Sequence, residues 1–440
     1  MRQTAKIIST YSADTFGVCS ALFELDGMVV MHDPSGCNST YTTHDEPRWY
    51  DMDSRIYISG LTEYDAIMGN DAKLVREVVE TAQAQRPRFI ALLATPVPTM
   101  VGTDLAAAAR LVEKETGIPC FTLDTNSMHF YVRGVSQALA WVAEQVVAQA
   151  GKAGAAGRLR CARCGPDAAS AAGEPDRQIR VNILGVTPLD FAMNGSEASL
   201  RAWLEREGFA VQSCWARGDT LDNILASGVA DVNLVVSAGG LAAAKILQDR
   251  LGLPYVAGVP FGAPGQKKLA GKLREAASAV GAQPAASADT AGRPRCAACG
   301  SGATLKNTIP LAGLAARGAG ASNPPPQAGA RLAIGEAVFM QSLAEAIEAE
   351  TGEKITVICP VETHAELLRE DTILATDETE LEPYLKEAAV IIADPMYQPV
   401  CPQAAKFVPL PHVGFSGRLY LGAIPNLIDG LDEFLKELMK

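Results

Sequence analysis

Residues 28–37 read Met28-Val29-Val30-Met31-His32-Asp33-Pro34-Ser35-Gly36-Cys37, an apolar run followed by a loop that ends in a cysteine. The run Met28–Met31 predicts a buried strand, and the Pro/Gly pair predicts a loop. The helical periodicity that begins at Gly17 places Cys19 on a helix, and a polar helix start follows Cys37. Both cysteines are therefore expected near helix N-termini, which favour the thiolate that ligates iron. Gly36 would let the backbone approach a bulky inorganic cluster.

The alternation of strand-like and helical patterns continues along the chain. Short apolar runs recur at Phe89–Leu93, Val181–Val186, Asn233–Ser237, Ile355–Cys359 and Val390–Asp394. Such alternation predicts parallel sheets covered by helices, with ligands at the carboxyl ends of the strands. The expected fold class is α/β, with three doubly wound parallel-sheet (Rossmann-like) domains.

Two stretches rich in Ala, Gly, Ser and Pro interrupt this pattern and are interpreted as insertions or linkers. They divide the chain into a first α/β domain (1–150, with Cys19 and Cys37), a CxxC insertion (151–178), a second α/β domain (179–262), a CxxC-containing insertion or linker (263–329) and a third α/β domain (330–440).

Composition excludes several classes of function. The net charge of −12 argues against a nucleic-acid partner. No apolar window approaches the roughly 18 residues of a membrane span, and the N-terminus lacks the apolar core of a signal peptide, so a cytoplasmic protein is expected. In that compartment the ten cysteines indicate metal binding or redox chemistry rather than disulfides. There is no Walker-type phosphate-binding motif, so the chain is not expected to be an ATPase itself.

Two near-duplicate motifs lie in the insertions: Cys161-Ala162-Arg163-Cys164-Gly165 and Cys296-Ala297-Ala298-Cys299-Gly300. Paired CxxCG turns are a usual source of a four-thiolate site, so a shared metal is expected, zinc ahead of a rubredoxin-type iron. For such a shared metal, a structural role is the first interpretation and electron entry to the cluster is the second. The alternative to a shared metal is that the two motifs are independent thiol pairs.

Other candidate residues follow strands. His412 is a possible proton donor beside Arg418, which could clamp an anion, although a lone histidine is more often structural. His32 and Asp33 are expected to tune the potential of a neighbouring cluster through hydrogen bonds. Cys120 and Cys214 are expected to be buried packing residues, whereas Cys359 and Cys401 follow strands closely enough to face a cleft. The run Thr43–Glu46 is interpreted as an exposed helix start without chemistry.

The order of these motifs resembles that of nitrogenase component 1-type oxidoreductases. Cys19, its helix and the loop His32–Cys37 carry the resemblance, with further matches at Thr62–Asn70, Val101–Leu105, Gly252–Tyr255, Ala393–Pro395 and Leu410–His412. It implies a nitrogenase-like iron–sulfur oxidoreductase that takes low-potential electrons from an ATP-dependent reductase resembling the iron protein and reduces a small-molecule substrate.

The departures from the family pattern are equally informative. Cys37 matches the first of three cluster cysteines in the nitrogenase subunits, but the second, expected near Ser59 to Glu63, is absent, and Pro96 stands at the third position. Cys19 instead matches a ligand position of the protochlorophyllide reductase branch. No thiol stands near Ser237, where the cofactor cysteine is expected, so nitrogen fixation is not expected.

With two such cysteines per chain, a 4Fe-4S cluster needs two chains across a twofold interface formed by the first domain. The partner would be an identical copy, or a related subunit in a heterodimer or tetramer. Two other functions stay open: a scaffold for metallocluster assembly, and a non-redox protein that binds zinc or another ligand.

Overall fold

The structure is a computed structural model that describes residues 12–36, 46–155, 177–279 and 329–440. Cys37 and all four CxxC cysteines lie outside the described residues. Within those ranges thirteen strands form three sheets, and every pair of neighbouring strands is parallel.

The strands are short, as expected for buried parallel sheets. They are β1 (Met28–His32), β2 (Ile56–Ile58), β3 (Ile90–Ala94), β4 (Cys120–Leu123), β5 (Arg180–Leu184), β6 (Ala210–Cys214), β7 (Val232–Val235), β8 (Tyr255–Ala257), β9 (Ala330–Ile334), β10 (Thr356–Cys359), β11 (Ile373–Leu374), β12 (Ala388–Ala393) and β13 (Lys406–Pro409).

Helices connect the strands and cover the sheets. They are α1 (Asp14–Leu22), α2 (Glu63–Met68), α3 (Asp71–Gln85), α4 (Pro96–Val101), α5 (Leu105–Thr116), α6 (Tyr131–Ala155), α7 (Pro188–Phe191), α8 (Ser196–Arg206), α9 (Leu221–Leu225), α10 (Leu241–Leu251), α11 (Gly262–Ala279), α12 (Ala337–Thr351), α13 (Glu378–Leu385), α14 (Val413–Ser416) and α15 (Leu427–Met439).

The strand order places a topological switch point in each sheet. The orders are β2-β1-β3-β4, β6-β5-β7-β8 and β11-β10-β9-β12-β13. The order reverses between β1 and β3, between β5 and β7, and between β9 and β12, and ligands of doubly wound sheets bind outside the carboxyl ends of such strands. Three positions are thereby singled out, one on each sheet.

Local sequence explains most element boundaries. Thr62 and Asp65 form a reciprocal capping box at the start of α2. Gly117 and Gly352 adopt left-handed backbone conformations directly after α5 and α12, which a side chain would oppose. The long helix α6 packs against both α1 and α10, so it connects the first sheet's helical layer to the second's.

Residues 263–279, assigned to the second insertion by the sequence, form most of α11, and Leu269, Ala270 and Leu273 on this helix are buried. Helix α6 likewise extends to Ala155, past the predicted end of the first domain. The division into three domains and two insertions stays a prediction.

A buried ionic cluster contradicts one expectation. Glu46, expected on an exposed helix start, is completely buried beside the equally buried Arg48, whose Nε donates to Glu46 Oε1 at 2.6 Å. The Arg48 guanidinium also donates to Glu24 Oε1 at 2.9 Å and to the carbonyl oxygen of Ala216 at 3.1 Å. A carboxylate can be buried here because a cation and backbone groups satisfy it.

Among the described residues, no helix has the length and apolar character to cross a bilayer.

Candidate functional site

The loop at the first switch point is held by hydrogen bonds to neighbouring strand ends. His32 Nδ1 lies 2.8 Å from Ser59 Oγ, and Thr95 Oγ1 donates to the His32 carbonyl at 2.9 Å. The Ser35 backbone N–H donates to Asp33 Oδ2 at 3.1 Å. These contacts fix the course of the chain from His32 to Ser35.

Two residues of this loop, Asp33 and Gly36, lie just before Cys37. Asp33 is completely buried, yet its Oδ1 has no hydrogen-bond partner in the ranges that the structure describes. A Cβ built on Gly36 would meet no described atom within 4 Å, so no described neighbour requires a glycine here. The left-handed residue is instead Ser35, with φ +77°. The Asp33 oxygen is thus a buried polar atom without a partner among the described residues, directly before the segment that begins at Cys37.

An exposed apolar patch flanks the loop. We call it the α2/α4 patch, and it consists of Tyr64, Ile67 and Met68 from α2 with Met100 and Val101 from α4. Helix α2 follows β2, α4 follows β3, and the two helices contact each other. Ile67 is 73% exposed and Met100 82% exposed. A contiguous exposed apolar surface of this kind is typical of a protein interface.

Cys19 does not lie at a helix N-terminus. Because α1 begins at Asp14, Cys19 is beyond its first turn, and its side chain is completely buried in the core that α1 shares with α6. Burial, reinforced by the charge of Glu46, raises the pKa of the Cys19 thiol far above its ordinary value. The expected thiolate-favouring position is therefore wrong for Cys19.

A second group of polar residues lies where α6, the second sheet and the third sheet meet. Asp190, on α7 after β5, accepts the Tyr131 hydroxyl at 2.5 Å on Oδ1 and the Thr187 hydroxyl at 2.8 Å on Oδ2. Burial and the neighbouring Asp190 charge raise the pKa of Tyr131 well above its ordinary value. Tyr131 is therefore the proton donor in this pair.

His412 joins this group from the loop before α14. Its Nδ1 accepts the Gly414 backbone N–H at 3.1 Å, so the neutral ring carries its proton on Nε2. Nε2 lies 3.5 Å from Asp190 Oδ1. Asp394, at the end of β12, fixes the loop by accepting the His412 backbone N–H and the Ser416 hydroxyl, each at 2.8 Å.

Arg418 is placed differently from His412. It is exposed in the 3₁₀ segment Gly417–Ala423, whereas His412 is 5% exposed. The two candidate residues thus differ in their access to solvent, and the buried group is built on Asp190 and Tyr131 instead.

Glu336 completes the buried group at the third switch point. It follows β9, is completely buried, and accepts the backbone N–H groups of Ala238 and Phe339, each at 2.8 Å. Burial and the Asp190 charge raise the pKa of Glu336 to about 8. Ser237, where a cofactor thiol would stand, donates its hydroxyl to the Gly185 carbonyl at 2.8 Å and so joins two strand ends.

The remaining described cysteines are protonated thiols in apolar surroundings. Burial raises the pKa of Cys120 and Cys359 to about 12 and that of Cys401 to about 11. Cys214 is completely buried at the end of β6. In the part of the chain that the structure describes, no group of three or more His, Cys, Asp or Glu side chains is arranged to hold a metal ion.

Sequence reasoning missed Asp190, Tyr131 and Glu336. Asp190 follows the predicted strand Val181–Val186 within a few residues, which is a usable signal in a doubly wound fold. Glu336 follows β9, which none of the predicted runs covers. Tyr131 opens a helix and carries no such signal.

Comparison with known proteins agrees with this architecture. A family model described as nitrogenase component 1 type oxidoreductase matches residues 14–295. Two solved structures, "Nitrogenase Cp1 at pH 5" and "Nitrogenase Cp1 at pH 6.5", superpose with TM-scores of 0.61 and 0.60 at 14% and 12% identity. Both matches cover 100% of this chain, and they cover 89% and 95% of those chains. The predicted fold class, three parallel sheets flanked by helices, is confirmed.

A curated relative is the nitrogenase iron-molybdenum cofactor biosynthesis protein NifE of Sinorhizobium fredii, which is 26% identical over 212 residues. The match covers 47% of this chain and 37% of that protein, so the similarity spans little more than a third of the relative's length.

Proposed function

The chain belongs to the nitrogenase component 1 type oxidoreductase family, and from that premise we propose that it is an iron–sulfur oxidoreductase subunit that reduces a small molecule. The observation that carries the proposal is the loop 32–36, which leads to Cys37 at a topological switch point. Beside it lie an exposed apolar patch and a buried carboxylate oxygen, Asp33 Oδ1, that has no partner among the described residues. An iron–sulfur cluster, when bound, supplies one-electron transfer at low potential.

The proposed ligands are Cys37 and Cys19 of each of two chains, which together hold one 4Fe-4S cluster. Cys37 anchors the site, and His32 and Gly36 support it. Ligation by Cys19 has a larger energetic cost than ligation by an exposed thiol, because iron would have to displace a proton from a fully buried thiol whose pKa is raised. Its side chain must also leave the core that α1 shares with α6.

Substitution of Cys37 tests this function. We expect a Cys37→Ala variant, purified anaerobically, to lose the iron, sulfide and cluster EPR and Mössbauer signals that the native chain shows. A Cys401→Ala variant is the matched control and should keep them, since Cys401 Sγ already contacts the Tyr397 carbonyl. A full cluster in Cys37→Ala would overturn the proposal, and iron retained in Cys19→Ala would remove Cys19 from the ligand set.

The partner chain is proposed to dock on the α2/α4 patch. Placing a charge there, as in Ile67→Glu, should convert the oligomer to monomer in analytical ultracentrifugation, because a buried carboxylate is costly in an interface. Leu111→Glu is the control, because Leu111 is 49% exposed on α5, outside the patch. Dimers of unchanged affinity in Ile67→Glu would contradict this placement.

Electrons are proposed to come from an ATP-dependent reductase that resembles the nitrogenase iron protein.

The zinc or iron site of Cys161, Cys164, Cys296 and Cys299 remains a proposal about residues outside the described ranges. Metal analysis separates its two forms, because zinc is redox-silent whereas four-thiolate iron has a reducible visible spectrum.

The second candidate function is a scaffold that carries a metallocluster without turnover. The similarity to a cofactor biosynthesis protein favours it. Release of an intact cluster to an acceptor protein, with no reductant-dependent turnover, would identify the scaffold.

A further inference from the structure

We propose that a cavity at the carboxyl ends of β3 and β4 binds a small organic cation, an alkylguanidinium or alkylammonium ion, through carboxylate and amide oxygens. The residues that line it all lie between positions 94 and 137. The cavity therefore belongs to the first sheet alone and is separate from the polar group around Asp190. The proposal goes beyond the proposed function and does not depend on it.

The cavity has the size of a small-molecule site and a partly apolar lining. Its volume is about 360 Å³, and it lies between α4, the start of α5 and the first turns of α6. Ligand pockets span roughly 300–1,000 Å³, and parallel sheets bind ligands outside the carboxyl ends of their strands. Pro98, Leu105 and Leu123 contribute apolar surface. The cavity can therefore hold a short alkyl chain as well as a polar group.

A buried side chain on the lining lacks a hydrogen-bond donor. Gln137, on α6, is 2% exposed, and its Nε2 donates to the Asp124 carbonyl oxygen at 2.7 Å. That bond fixes the orientation of the amide, so Oε1 is the acceptor, and no described residue donates to it. Buried polar atoms are normally paired. The free amide oxygen points to a ligand that carries N–H groups.

The charged side chains of the lining are both acidic. Asp104 and Asp124 are exposed at the rim, and no Lys, Arg or His is among the described residues that line the cavity. One oxygen of each carboxylate is engaged, since Asp104 Oδ1 accepts the Ala107 backbone N–H at 2.8 Å and Asp124 Oδ2 accepts from Arg133 at 2.6 Å. No described residue donates to the other oxygen of either carboxylate. Asp104 also offsets the positive end of α5, so the lining favours a cation over an anion.

The lining fits an organic cation better than a metal ion. Hard metal ions take about six or more oxygen ligands, and within the described ranges no three acidic, histidine or cysteine side chains are arranged to hold one. A guanidinium group presents five N–H donors in a fixed plane, which can serve a carboxylate and an amide oxygen together. An ammonium group presents three. Either group on a short alkyl chain matches the acceptors and the apolar surface.

The test compares n-propylguanidinium with N-propylurea, butyrate and Ca²⁺. Calorimetric titration of the full chain at low salt should show n-propylguanidinium binding about tenfold more tightly than N-propylurea, which has nearly the same shape but no charge, because charge-assisted hydrogen bonds are stronger than neutral ones. Butyrate should bind more weakly than either. Added salt should reduce the preference, since the carboxylates are exposed. Equal affinities for the cation and the urea, or displacement of the cation by an equal concentration of Ca²⁺, would overturn the proposal.

Variants separate the two kinds of acceptor. Asp104→Asn keeps a helix cap and, like Asp124→Asn, should weaken n-propylguanidinium about threefold while leaving N-propylurea unchanged. Gln137→Met keeps the side-chain length but removes the amide oxygen, so it should weaken both compounds by a similar factor. Glu115→Gln, exposed on α5 outside the cavity, is the control and should bind both compounds as the native chain does.

Circular dichroism establishes that each variant is folded. Native affinity for n-propylguanidinium in a folded Gln137→Met variant, or in the variant that combines Asp104→Asn with Asp124→Asn, would overturn the proposal. None of these measurements requires a cluster, so their failure is distinguishable from loss of the iron signals in the Cys37 test.

Discussion

An Arg48→Met variant is expected to unfold with a free energy about 3–5 kcal/mol lower than that of the native chain. Arg48 is completely buried and contacts Glu46, which is also completely buried, and Glu24. Removal of the guanidinium leaves those carboxylates without their shared cation. The backbone carbonyls of Ser20 and Ala216 lose their donors in the same step. Because these contacts connect α1 to the loop after β6, the loss falls on the junction of the first two sheets.

Chemical denaturation followed by circular dichroism measures this effect. Arg88→Met is the matched control, because the Arg88–Asp222 pair also connects the first two sheets but is exposed, and such pairs contribute about 0–1 kcal/mol. Equal losses of unfolding free energy in the two variants would show that the stabilisation by the Arg48 ion pairs does not depend on their burial.

The strands were the part of the fold that the sequence predicted best. The run Val390–Asp394 corresponds to β12, and Met28–Met31 to β1, because continuous apolar runs of this length are a local signal of a buried parallel strand. The family resemblance, carried by the loop that follows β1, was confirmed by a family model over residues 14–295.

The buried charges could not be predicted, because their partners are distant in sequence. Glu46 looked like an exposed helix residue, and only the fold places it beside Arg48 and near Glu24. Tyr131 and Asp190 are 59 residues apart and meet because α6 points its first residue at the end of the second sheet. Local sequence patterns predict which apolar residues are buried. Which polar side chains contact each other across the fold depends on how the sheets pack.

The start of α1 shows a subtler failure. Helical periodicity was recognised from Gly17, but the helix begins at Asp14, whose carboxylate accepts the Asn126 and Ser127 backbone N–H groups. Three residues of extra helix move Cys19 from the first turn into the core. The roles of Cys19 and Cys37 in a cluster stay predictions.

A Glu336→Gln variant is expected to show a much smaller change in the free energy of unfolding between about pH 5 and 8 than the native chain. Burial first, then the Asp190 charge, raises the pKa of Glu336 from 4.5 to about 8. In the unfolded chain the carboxyl ionises near its ordinary value, so across this window the folded state holds the additional proton. The contribution of this protonated carboxyl to the free energy of unfolding is fully present below the carboxyl's ordinary pKa. It is lost as the pH rises through the pKa that the carboxyl has in the folded state.

Urea unfolding at pH 5, 6.5 and 8 tests this sign. The native chain should lose about 2–4 kcal/mol more across the window than Glu336→Gln, since each unit of pKa shift corresponds to about 1.4 kcal/mol. Asp14 and Asp394, whose pKa values burial also raises, are present in both proteins, so the difference isolates Glu336. Glu350→Gln, exposed near the end of the same helix α12, should keep the native slope. Parallel pH curves for the native chain and Glu336→Gln would mean that Glu336 is ionised in the folded protein, and a buried cation or donor would then have to lie beside it.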